Sequence, residues 1–487
     1  MTYHTERSKS HGHSVHTTTI DTLPDVVLLG IFYFCKVDHD DHGFPFGPIL
    51  EWQTLVHVCQ RWRYIIFASP LGLDLQLLCT HGTPVKRNLG YWPPLPLIVD
   101  YYTDLDADEG QSVIASYEDD IIAALEHADR VRYVGVSVTS SLLEKMVAVT
   151  QEPFPILTHL WLTSKDRDAP VLPETFLGGS APRLRVAHFE GIPFPAFPTL
   201  LLSATDLVEL QLINIPKTGH VTPEAMVAGL SVLSRLDTLS IGFQSPTSIP
   251  ERRCQPPPTR VVFPSLSTFT FQGVNKYLEN FVAHIDTPLL KHLTIVYFNQ
   301  LVDFYIPQLS HFTTRTESLS LPRLKHARVG FSESSVFVNL SASEGQAEPE
   351  SHECHFAIQI SCEWFDWQIW HMTQVLYQYS AVLLHVEDLS IGTYDLHPLW
   401  RADEYVEPSE WPGLLCSFGG VKILRVFKQL AGHVALALEE ITGEKIAGTL
   451  PALHSLYLEG QPEASVAQYI AARKFSGHPV NVLNAHE

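Results

Sequence analysis

The side chains that could do chemistry in this chain are its 25 histidines, seven cysteines and 53 acidic residues. Metal binding would need them in close pairs, because a structural zinc site draws its ligands from short spacings. Three stretches come near that pattern. His11-x-His13 with His16 sits in a polar segment, and Asp38-His39-Asp40-Asp41-His42 sits between two helical stretches. His352 and His355, with Cys354 and Cys362, would bring imidazole and thiolate together. None of the three has two close ligand pairs, so we expect no metal and no cofactor. Nucleophilic and phosphate chemistry have no carrier motif either. GxSxG, HExxH, GxxxxGK[ST] and a GxGxxG following a strand are all missing from the sequence. The expectation is a protein without catalysis of its own.

Composition narrows the partners. The formal net charge is −21, with 45% hydrophobic and 17% charged residues. Such a surface repels phosphate backbones, which argues against nucleic acid. No run approaches the roughly 18 apolar residues of a membrane span, so no membrane partner is expected. Residues 1–19 are polar and His-rich, without an apolar stretch suited to export, and we expect a disordered tail and a cytoplasmic or nuclear protein. The cysteines at 35, 59, 79, 254, 354, 362 and 416 are scattered and odd in number, as expected of reduced thiols.

The elements that would position a site begin with two helical arms. Asp21 and Thr22 are placed to cap a helix whose first turn holds Pro24 and Asp25. Val27, Leu28, Ile31, Phe32 and Cys35 then recur at helical spacing. Gly, Pro and charge break the pattern over 36–48, and it resumes with Trp52, Leu55, Val58, Cys59, Trp62, Ile65 and Ile66 before Ser69-Pro70.

The order of types resembles the F-box, the short motif that docks a Skp-type adaptor of cullin-based ubiquitin ligases: Leu23-Pro24, Leu28-x-x-Ile31-Phe32, Val58-Cys59-x-x-Trp62-Arg63, Ser69-Pro70-x-x-Leu73. The resemblance implies that Leu23, Pro24, Leu28, Ile31, Phe32, Leu55, Val58, Cys59, Trp62 and Ile66 form the adaptor interface or its supporting core. Val26 stands where many F-boxes carry Glu, and the loop between the arms is longer than usual. The stretches from Leu73 to Val85, Tyr91-Trp-Pro-Pro-Leu-Pro96 and Phe176-Leu-Gly-Gly-Ser-Ala-Pro-Arg-Leu184 look like the large F-box families of mushroom-forming fungi.

Beyond the arms, one apolar pattern, L-x-x-L-x-L with substitutes, returns eleven times, from Val131/Val134/Val136 to Leu453/Leu456/Leu458. Its early copies start 26, 27, 23, 29, 30 and 24 residues apart, close to the 20–29 of leucine-rich repeats. Strand alternation turns positions four and six inward and three, five and seven outward. A unit this small must stack on its neighbours, giving a parallel sheet. Segments such as 222–233 and 277–285 would be return helices, and 465–475 a capping helix. The places where regular leucine-rich repeats carry Asn or Cys hold Lys165, Ile192, Ile215, Gln244, Val274 and Phe298, so irregular repeats are expected. Pro-rich 245–264 and acidic 341–353 read as loops.

We therefore predict an α/β chain, with a tail at 1–19, an all-helical F-box at 20–80 and a connecting segment at 81–126. An irregular leucine-rich-repeat solenoid at 127–475 and a tail at 476–487 complete it. The function implied is that of a substrate receptor of a ubiquitin ligase, reaching a cullin through the adaptor and binding a target protein on the sheet. His159, Trp161, His188, Gln211, His292, His326 and Arg328 sit at outward positions suited to that target. The alternative is a leucine-rich interaction scaffold whose F-box has drifted and no longer recruits a ligase.

Overall fold

The computed structural model describes residues 20–37, 49–50, 52–80, 83, 85–102, 110–164, 166, 171–194, 196–246, 259–298, 304–342, 355–362, 364–394, 410–427, 429–441 and 448–483. They form two compact units, 1–78 with 87–98, and 79–86 with 99–487.

The first unit is helical. A 3-10 turn at Ile20–Thr22 precedes α1 (Asp25–Phe34), and β1 (Lys36–Val37) pairs antiparallel with β2 (Ile49–Leu50). The second arm is broken into α2 (Trp52–Val56) and α3 (Gln60–Ala68). Trp52 is buried at its centre: its Nε1 donates to Gln76 O at 2.8 Å, and the rings of Phe67 and Trp92 meet it edge-on at 5.6 and 4.8 Å. Trp92, in a stretch read from sequence as a connector, is thus part of this unit's core.

The large sheet begins with β3 (Leu77–Cys79) and β4 (Leu97–Tyr101), through which the division between the units passes, and continues in the second unit with β5 (Val131–Val138), β6 (His159–Ser164), β7 (Val186–Glu190), β8 (Glu209–Ile215) and β9 (Thr238–Phe243). A short parallel pair, β10 (Val261–Val262) with β12 (Ile285–Asp286), stands apart. The sheet goes on through β11 (Thr268–Gly273), β13 (His292–Tyr297), β14 (His326–Phe331), β15 (Ser335–Ser341) and β16 (Phe356–Ser361). It closes with β17 (Asp388–Thr393), β18 (Ile423–Val426), β19 (Ser455–Leu458) and β20 (Asn481–Leu483), so the last strand falls in the stretch read as a tail. All sixteen lie in one sheet, α/β in class, with helices between the strands and compatible with a solenoid-like repeat.

The burial pattern explains the architecture. In all eleven copies of the repeat, the three apolar positions are buried. Between them the strands show half-buried side chains, as in the alternating pattern of β6, β8, β11 and β13. The expected return helices form at Pro223–Leu230, capped by Thr222 Oγ1, and at Asn275–Ala283; the last helix is Ala467–Phe475. The Phe176-Leu-Gly-Gly motif makes a left-handed turn in which Gly178, at φ 58°, passes so close to the Glu152–Pro153 backbone that a Cβ would collide with it.

One irregularity reorders the sheet. Every pairing from β5 to β20 is parallel except those of β15, and the order there is β13-β16-β15-β14-β17. The chain leaves β13, skips two places to β14, then fills them by doubling back through β15 and β16. This accounts for the 62 residues between the copies at Leu324 and Val386. The two crossovers are stitched together: Gln374 Oε1 accepts from Phe304 N at 2.8 Å and Gln378 Oε1 from Ile306 N at 2.7 Å.

Candidate functional site

In the helical unit the predicted interface residues separate into two groups. Leu28, Phe32 and Ile66 are fully buried and hold the unit together. Phe32 meets the Trp62 ring edge-on at 4.9 Å, so half-buried Trp62 joins that core, as do half-buried Leu23 and Leu55. Pro24, Ile31, Val58 and Cys59 are exposed. Asp21 and Thr22 do not cap α1, which begins after Pro24 without a side-chain cap. Arg61 does the tethering instead: Nη2 donates to Leu23 O at 2.5 Å and Asp25 Oδ1 at 2.6 Å, and Nη1 to Asp21 O at 2.6 Å. Cys59 is the N-cap of α3, its Sγ accepting from Trp62 N at 3.4 Å.

The exposed apolar surface is larger than the motif alone indicates. Val26 is 81% exposed, Phe34 85%, Tyr64 73% and Leu71 94%, beside Val27, Ile31, Tyr33 and Val58. On α3, Gln60, Arg63, Tyr64, Phe67 and Ala68 line an open groove of about 430 Å³. Those positions are spaced as one helix face, opposite buried Ile65 and Ile66. The alternation of β-branched, aromatic and aliphatic residues along α1 hid this face, because nearly every position there is apolar.

On the sheet, register collects some of the predicted target residues and separates others. Trp161, His188 and Gln211 occupy one row on β6, β7 and β8, with His159 in the adjoining row. Trp161 stacks on His188 at 4.9 Å with 17° between the rings, and His188 Nδ1 lies 3.1 Å from Gln211 Oε1. His292, on β13, and His326 and Arg328, on β14, lie farther along the sheet, with β16 and β15 between the two strands. Arg328 is eight strands from Trp161, roughly 38 Å along the sheet at ~4.8 Å per strand. His292 stacks on His355 at 5.4 Å. Arg328 lies over the Tyr394 ring at 4.3 Å, and Arg425 pairs with buried Asp388.

Among the described residues no three His, Cys, Asp or Glu side chains come together as metal ligands would. The clusters at His11–His16 and Asp38–His42, and His352 with Cys354, lie outside the described residues. Cys35, Cys59, Cys79, Cys362 and Cys416 form no disulfide among the described residues, and burial pushes Cys79 up to about 12. No described helix is long and apolar enough to cross a membrane. No family model matches the chain, and no curated protein is similar to it.

Proposed function

We propose that the chain is a non-catalytic substrate receptor of a cullin-based ubiquitin ligase, its α1–α3 unit docking a Skp-type adaptor and its sheet holding a target protein. The observation that carries this reading is the unspent apolar surface of the helical unit. Leu28, Phe32, Trp52, Val56, Ile65 and Ile66 already complete an internal core, yet Val26, Val27, Ile31, Phe34, Val58 and Tyr64 remain in water. Scattered exposed hydrophobics are ordinary, but a run of them on a small unit marks a surface made for a partner helix. The target would then be modified by proximity to an enzyme the cullin brings, so no catalytic group is required of this chain.

A second reading, an interaction scaffold that no longer recruits a ligase, is favoured by Val26, an exposed apolar residue where many F-boxes carry Glu. Co-purification of the full chain with a Skp-type adaptor separates the two. Variants should carry Ile31→Glu and Val58→Glu, both on the surface. Truncating Trp62 would damage the Phe32 contact as well as any interface. A complex lost in that variant supports the receptor; no complex with the folded wild type supports the scaffold.

A further inference from the structure

The outward side of β5–β8 carries an aromatic shelf. The Tyr133 ring covers Gly135, where a Cβ would strike it, and lies 6.2 Å from His159. Next to it Trp161 stacks on His188. Burial, with Arg132 and Arg185 adding to it, holds His159 down at about 4. Burial also lowers His188, against the opposing pull of Gln211, Glu190 and Glu209. Both imidazoles are therefore neutral at pH 7 and add no positive charge of their own to that of Arg132 and Arg185 near His159.

Two observations indicate that the shelf is built for a ligand. Trp161 Nε1 and Thr163 Oγ1 are buried and find no hydrogen-bond partner among the described residues, although Thr163 stands two places after Trp161 on the same side of β6. Buried donors of this kind are normally matched. Beside them stand two carboxylates without a Lys or Arg partner among the described residues. Glu190, in register with Thr163, accepts from Asn214 Nδ2 at 2.9 Å and lies 3.8 Å from His188 Nε2. Glu209, in register with Val186, accepts from Gln211 Nε2 at 2.5 Å.

We propose that this shelf binds a basic segment of a polypeptide. An arginine or lysine side chain lies on the aromatic edge, its charge held by Glu190 and Glu209, while a carbonyl of the same segment accepts from Trp161 Nε1. The inference rests on the reading of the sheet as the target-binding surface and names the target's chemistry. Indole and carboxylate together are the groups that favour a desolvated cation. The chain's −21 field draws basic segments toward it and turns acidic ones away. By contrast, the cations on the other half of the sheet already have partners, Arg328 over Tyr394 and Arg425 against Asp388.

The test uses the full chain and fluorescein-labelled Gly-Ser octapeptides with a central Arg-Arg, Lys-Lys or Glu-Glu, followed by anisotropy. The Arg-Arg peptide should bind at least about tenfold tighter than Glu-Glu and weaken in about 0.5 M salt. Glu190→Gln with Glu209→Gln, an isosteric pair that spares the fold, should cost about tenfold, and Trp161→Ala about as much. Equal binding of basic and acidic peptides overturns the proposal, as does unchanged binding in the Gln pair. Adaptor co-purification of the same proteins keeps the two readings apart. A Gln pair that still holds the adaptor but loses the peptide supports the shelf, and peptide binding without an adaptor complex removes only the ligase reading.

Discussion

Glu279 ties one repeat to the next, and replacing it by Gln tests how burial sets the balance there. Its carboxylate, at the end of one turn of the Asn275–Ala283 helix, accepts from Gln308 N and Leu309 N at 2.8 Å each, capping the Pro307–Arg315 helix. Two backbone donors at a helix start ordinarily favour the ionised acid. Here burial outweighs them and pushes Glu279 up to about 7 from 4.5. The folded carboxyl therefore binds its proton more tightly than the unfolded one. Its favourable contribution is full below pH 4.5 and is lost as the pH rises through 7. A rise of about 2.5 pKa units at 1.36 kcal/mol each amounts to about 3 kcal/mol. Glu279→Gln keeps an acceptor oxygen and cannot ionise. The stability difference between wild type and variant, from urea unfolding at several pH values, should shift against the wild type by up to about 3 kcal/mol between pH 4 and 8. Hydrogen exchange at Gln308 and Leu309 localises the effect. A difference that is flat with pH, or that moves toward the wild type as pH rises, refutes the reasoning and gives the helix-capping bonds the larger share.

Three further outcomes follow from the packing. Arg61→Ala should loosen α1 by about 1–2 kcal/mol, read as faster hydrogen exchange there, chiefly through the two lost backbone carbonyl contacts, since its ion pair with Asp25 is largely exposed. Gly191→Ala should cost about 2 kcal/mol or more by denaturant melting, because φ is 67° and the new Cβ would run into Ser164 O. Trp367→Ser with Trp370→Ser should cost about 2 kcal/mol or more by the same assay, both indoles being more than half buried and packed on the ring of buried His371.

The repeat was legible because its chemistry is local. A strand of six residues that buries positions four and six announces itself in Leu157/Leu160/Leu162 or Leu290/Leu293/Ile295, and the sheet follows from the need to cover them. Strand order was not legible in the same way. Ser335–Ser341 alternates as any strand does, and nothing in Val-Phe-Val-Asn-Leu states its direction; the short turn before it does, by leaving room only for a hairpin with β14. In the helical unit the pattern picked out the apolar positions without dividing core from surface. Leu28 and Ile31 have the same spacing logic, but Leu28 is fully buried and Ile31 is exposed. Trp161, His188 and Gln211 were found because a fixed register of 26 or so residues makes neighbours of them, whereas Glu190, one position beyond the pattern, needed the structure.

The central claim is that α1–α3 presents a docking surface to a Skp-type adaptor. The most direct measurement is the affinity of the purified full chain for that adaptor by titration calorimetry, wild type beside Ile31→Glu/Val58→Glu. The account predicts a one-to-one complex that the double variant weakens by about 2 kcal/mol or more, with the circular dichroism of the chain unchanged. A folded wild type that gives no heat of binding, or a variant that binds as well as the wild type, contradicts it.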